Sequence, residues 1–65
     1  MPKSVRKKTF SHSGAVLTMT KSGQFYNVKL LDNFGLNVDM VICDSYKIAC
    51  EYWKAFTSIG KNLSK

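Results

Sequence analysis

AVLTMTKSGQFYNVKLLDNFGLNVDMVIC, residues 15–43, decides how this chain folds. Within it apolar and polar side chains alternate, the period of a strand with one buried face. Ala15 to Thr20 sets Leu17 and Met19 against Thr18 and Thr20. Phe25 to Leu31 sets Tyr26, Val28 and Leu30 against Phe25, Asn27, Lys29 and Leu31. Leu36 to Cys43 sets Leu36, Val38, Met40 and Ile42 against Asn37, Asp39, Val41 and Cys43. Lys21-Ser22-Gly23-Gln24 and Asp32-Asn33-Phe34-Gly35 part the runs, each offering a glycine for a positive φ. Turns this short make consecutive strands antiparallel neighbours, so a three-stranded meander is predicted.

Downstream of the meander the period changes. Asp44 or Ser45 is placed to cap a helix over residues 45–59, its short side chain accepting a free backbone N–H. At 100° per residue, Tyr46, Ile48, Ala49, Tyr52, Trp53, Ala55, Phe56 and Ile59 occupy about half the circumference. Gly60 is expected to end the helix in a left-handed turn, with Lys61 complementing the negative end of the dipole. The apolar half-cylinder is predicted to cover Leu17, Met19, Tyr26, Val28, Leu30, Val38, Met40 and Ile42. The fold class is therefore α+β: a three-stranded antiparallel meander packed on one C-terminal helix. Upstream, MPKSVRKK has no hydrophobic period and reads as a basic arm over residues 1–10, ahead of a single β-β-β-α domain over 11–65. Lys7 to Phe10 can add a fourth edge strand, with Ser11 to Gly14 as its turn.

Sixty-five residues, 45% of them hydrophobic, make one small domain with a real core. Val41-Ile42-Cys43 is far too short to span a bilayer, and the polar face of the helix has only two lysines, few for an interfacial anchor. No membrane role is expected. Two cysteines, Cys43 and Cys50, cannot build a disulfide framework, so reduced thiols in the cytoplasm are expected. They also fall short of a zinc site, and no cofactor is implied. His12, the single histidine, lies between Ser11 and Ser13 in a turn, where a base and nucleophile rarely meet with a third group to orient them. The chain is read as a binding protein and not an enzyme.

Charge supplies the functional clue. Lys3, Arg6, Lys7, Lys8, Lys21 and Lys29 stand in the first 31 residues without one acid; the rest of the chain balances four lysines against Asp32, Asp39, Asp44 and Glu51. The net charge of +6 thus sits in the first half, which favours a polyanionic partner. In the leading expectation DNA or RNA lies on the open sheet face. Lys3, Arg6, Lys7, Lys8, Lys21 and Lys29 meet phosphates, and Asn27, with Thr18, Thr20 and Phe25, reaches bases or groove walls. Asp39 on that face would repel phosphate.

A second expectation uses the same face to bind a protein, as a small inhibitor or adaptor of the kind phages encode. Phe25, Leu31 and Val41 then form an apolar centre with the basic residues as its rim. A homodimer packed sheet to sheet would bury the same residues. The three-stranded sheet on one helix resembles in layout the DNA-binding domains of the AP2 type and of the integrase arm-binding type, over residues 14 to 59. Those families carry several arginines on their reading strands. This chain has only Arg6, outside that span, so the resemblance implies no site residue here.

Overall fold

A computed structural model describes residues 3–62. Met1 and Pro2 of the expected arm, and residues 63–65 of the expected domain, lie outside it. Four strands, β1 (Lys3–Thr9), β2 (Val16–Ser22), β3 (Phe25–Leu31) and β4 (Asn37–Cys43), form one antiparallel sheet in the order β1-β2-β3-β4. One helix, α1 (Tyr46–Asn62), packs across β2, β3 and β4 but not across β1. The α+β meander with a C-terminal helix stands, and its fourth strand is real.

Each turn has a local cause. Phe10 closes the β1–β2 loop by pairing its N–H with the Ala15 carbonyl at 2.8 Å and its own carbonyl with the Gly14 N–H at 2.7 Å. Ser22 pairs with Phe25, leaving Gly23-Gln24 as a two-residue hairpin loop. Only Gly23 there has a positive φ, +62°, which identifies a type II′ turn. Between β3 and β4 the Asp32 carboxylate accepts the N–H groups of Phe34 and Leu36, both at 2.9 Å.

The core lies between the sheet and α1. Leu17, Met19, Val28 and Leu30 alternate along β2 and β3 with no exposure, and Ala49, Trp53 and Phe56 of the helix close over them. Each large side chain buried there contributes about 1.5–3 kcal/mol. Ser45 takes the cap position, its carbonyl accepting the first helical bond from the Ala49 N–H at 3.0 Å.

Four expectations need correction. The arm of residues 1–10 is strand β1 from Lys3 to Thr9, paired with β2 from Lys21 to Val16 and bulged at Val5. Its side chains are all exposed, so backbone pairing and not burial holds it.

In β4 the faces are the reverse of those predicted. Leu30 pairs with Asp39 but Leu31 with Asn37, leaving Val38 as an extra residue. From there Asp39, Val41 and Cys43 share the side of buried Leu30, Val28 and Tyr26, while Met40 and Ile42 share the side of Lys29 and Asn27. A one-residue shift moves every later side chain to the opposite face. Cys43 is accordingly buried and Val41 packs against the core, whereas Ile42 is 62% exposed.

Gly60 does not end the helix. It is a buried helical residue two positions before the end, and a Cβ there would overlap the Phe10 ring. Its missing side chain lets loop and helix touch, and the buried Ser13 hydroxyl donates to the Gly60 carbonyl at 2.9 Å. Finally, α1 buries one stripe, Ala49, Trp53, Phe56 and Gly60, rather than half its surface. Ile48, Tyr52, Ala55 and Ile59, each about 100° round from the buried stripe, stay exposed.

Candidate nucleic-acid interface

Because α1 stops short of β1, the sheet overhangs the helix along its basic edge. The pairing sorts the basic residues onto two faces. Lys7 stands opposite Thr18, and Thr18 opposite Lys29, so Lys7-Thr18-Lys29 forms a row across the open face. Ser4-Thr20-Asn27 forms the next row. With strands about 4.8 Å apart, Lys7 and Lys29 stand about 10 Å apart at the backbone. Around them are hydroxyls and an amide, groups that bond to phosphate, sugar or base edges alike.

Lys3, Arg6, Lys8 and Lys21 project to the helix side of the overhang, since Arg6 pairs with Met19 and Lys8 with Leu17, both core residues. Three of these four lie against aromatic rings. The Arg6 guanidinium is 4.8 Å from the Trp53 ring centre, the Lys8 ammonium 5.4 Å from Phe10 and the Lys21 ammonium 5.5 Å from Tyr26. Such stacking is worth about 0.5–1 kcal/mol at an exposed site and leaves the charge facing water. Lys3 is paired directly opposite Lys21, a like-charge contact that disfavours the bare sheet. A polyanion on this edge would relieve it.

The carboxylates lie elsewhere. β1, β2 and β3 contain none. Asp39, expected on the open face, is on the helix side of β4, its Oδ1 accepting the Met40 N–H at 2.8 Å. Asp32 is engaged in its turn. The open face of the four strands therefore presents no acid among the described residues.

Of the sequence-predicted contacts, the structure brings Lys7, Asn27 and Lys29 together on the open face and Lys3, Arg6, Lys8 and Lys21 around the same edge from behind. Of the proposed apolar centre it brings Phe25 and Val41 to one groove beside β4 and leaves Leu31 away from both. Phe25 and Leu31 end the same strand on its open side, about 20 Å apart, and Val41 faces the helix. The amide oxygen of Asn27 is buried without a partner among the described residues, a loss of about 1–3 kcal/mol.

Sequence reasoning missed a shallow depression of about 400 Å³ beside the β1–β2 loop, lined by Lys8, Ser11, His12, Ser13 and Lys61. It sets two lysines from opposite ends of the chain side by side, a pairing that no local pattern encodes. His12 is exposed at its rim, while the Ser13 hydroxyl is committed to the helix end. Burial pushes the Cys43 thiol above its ordinary value of 9.0, and the Asp44 charge adds to the rise. Among the described residues no three metal-ligating side chains cluster, and no helix is long and apolar enough to cross a membrane. No protein-family model, curated protein or solved structure matches the chain.

Proposed function

We propose that the chain binds nucleic acid, with the backbone of DNA or RNA running along the β1 edge and the adjoining open face. The observation that carries this reading is the separation of charge across the sheet. Four cations occupy the seven residues of β1, Lys21 and Lys29 continue the field inward, and three successive strands carry no carboxylate. Lys7 and Lys29 would hold phosphates from the front, with Lys3, Arg6, Lys8 and Lys21 adding charge at the edge. Thr18, Thr20 and Asn27 would contact sugar, phosphate or exposed base edges. The reach of Lys and Thr suits backbone contact more than base reading, so weak sequence preference and steep salt dependence are expected.

The test is fluorescence anisotropy with labelled duplex and single-stranded DNA and RNA at low and moderate salt. Binding should weaken steeply as salt rises, and replacing Lys7 or Lys29 by Ala should lower the salt slope by about 1 each. Failure to bind any of these at low salt would end the proposal.

A further inference from the structure

We infer that the chain forms a two-fold homodimer in which the free edge of β4 pairs antiparallel with β4 of a second copy and the exposed stripe of α1 closes over the joint. β4 is the last strand of an open sheet, so its outer backbone groups have no strand to pair with. Edges in monomers are usually blunted by lysine, proline or burial under a loop. β1 has its lysines; β4 has no cation and no proline, and its one charge, Asp39, accepts the Met40 N–H at 2.8 Å, a bond that pairing about Met40 would exchange for one to the second copy.

Apolar surface flanks this edge on both sides. Met40 and Ile42 are 44% and 62% exposed on the open face, and Val38, at the bulge, is 40% exposed. On the helix side Ile48 and Tyr52 are each 41% exposed. Between the two runs a groove of about 360 Å³, lined by Phe25, Val41, Ile42, Cys43, Ile48 and Tyr52 with Asp44 at its end, joins them into one patch. An occupant that fits must bring a strand to the edge and apolar side chains to both flanks. A second copy brings both.

Symmetry and charge favour that occupant. In antiparallel self-pairing about Met40, Val38 meets Ile42 of the other copy, Met40 meets Met40 and Asp39 meets Val41. Met40 and Ile42 then meet apolar residues across the joint, Asp39 meets Val41, and no like charges stand directly opposite. A chain of net charge +6 repels its own copy, and this edge lies three strands from the basic one. A standard interface takes about 800 Å² from each partner. That is under a fifth of the 4549 Å² surface of this chain, within reach of a seven-residue strand beside a 17-residue helix. The product is an eight-stranded sheet with a basic strand at each end.

Sedimentation velocity over a dilution series tests this. The wild type should sediment at twice 7.3 kDa at micromolar concentration and dissociate on dilution. Ile42→Lys and Ile48→Lys, each at an exposed position, should raise the dissociation midpoint by about a hundredfold or more with an unchanged circular dichroism spectrum. Lys7→Glu, on the opposite edge, should leave the dimer intact. A wild type that stays at 7.3 kDa up to millimolar concentration would overturn the inference. So would a dimer that persists in both lysine variants. If one variant fails to fold, the other decides.

Discussion

The two edges of this sheet are strands of equal length with opposite chemistry. β1 carries four cations and is exposed at every position, and its backbone lies beyond the helix, which it meets through Arg6 on the Trp53 ring. β4 carries one acid, turns Val41 and Cys43 into the core and leaves Met40 and Ile42 in water. An edge that contributes nothing to the core is free to take any composition that keeps its backbone paired on one side. β1 uses that freedom to hold a line of positive charge. β4 is constrained on its inner face by the helix that follows it, and its outer face is apolar without a fold-based reason. The difference teaches that one sheet can carry opposite chemistry on its two edges, which our proposals read as polyanion contact at β1 and self-association at β4.

The inner and outer faces of β4 can be tested against each other, and this carries the largest expected effect. Cys43→Asp places a charge in the core and should unfold the domain, whereas Ile42→Asp should keep the monomer folded, as read by urea denaturation. The reverse outcome, with Ile42→Asp unfolding the domain and Cys43→Asp tolerated, would restore the face assignment that alternation alone predicts. Next in size is Leu30→Ala, expected to cost about 2–5 kcal/mol, against less than about 0.5 for Thr20→Ala on the neighbouring strand's open face. Gly60→Ala should cost about 1–3 kcal/mol by crowding Phe10, although alanine is the better helix former. Stabilisation there would mean that loop and helix are not in close contact.

The smallest effect concerns pH. The folded Cys43 thiol holds its proton above its ordinary value of 9.0 because burial disfavours the thiolate. The folded state therefore binds more protons at this group, so the contribution of Cys43 to stability is fully present below pH 9 and is lost as pH rises further. Cys43→Ala should reduce that loss. Tyr46, also raised, chiefly by its hydrogen bond to Cys50, would keep part of it. An identical slope in the variant would show that Cys43 does not lie against the core.

β2, β3 and the helix were legible because each couples a hydrophobic period to burial: Leu17 and Met19 at spacing two, Trp53 and Phe56 at helical spacing. β1 was legible only at its end, where Lys7 to Phe10 reads as an edge strand, because Lys3 to Thr9 offers only Val5 as an apolar residue and the strand is held by hydrogen bonds to β2. The face of β4 was misread because Leu36, Val38, Met40 and Ile42 form the more hydrophobic set, and the bulge at Val38 has no signature in residue type. The half-cylinder of α1 was drawn too wide for the same reason: hydrophobicity locates what a side chain tolerates, not what covers it. The basic residues of the candidate site were legible as charge. Their division into an open-face row and a set stacked on Trp53, Phe10 and Tyr26 depended on register, and so did the removal of Asp39 from the open face.

Nuclear magnetic resonance titration of the isotope-labelled protein with a short oligonucleotide at low salt tests the assignment of the basic edge most directly. Amide shifts should concentrate on Lys7, Thr18, Asn27 and Lys29, with smaller changes along the rest of β1, and should collapse when salt is raised. Shifts centred instead on Ile48, Tyr52 and Ile59, or no shifts at all, would contradict it.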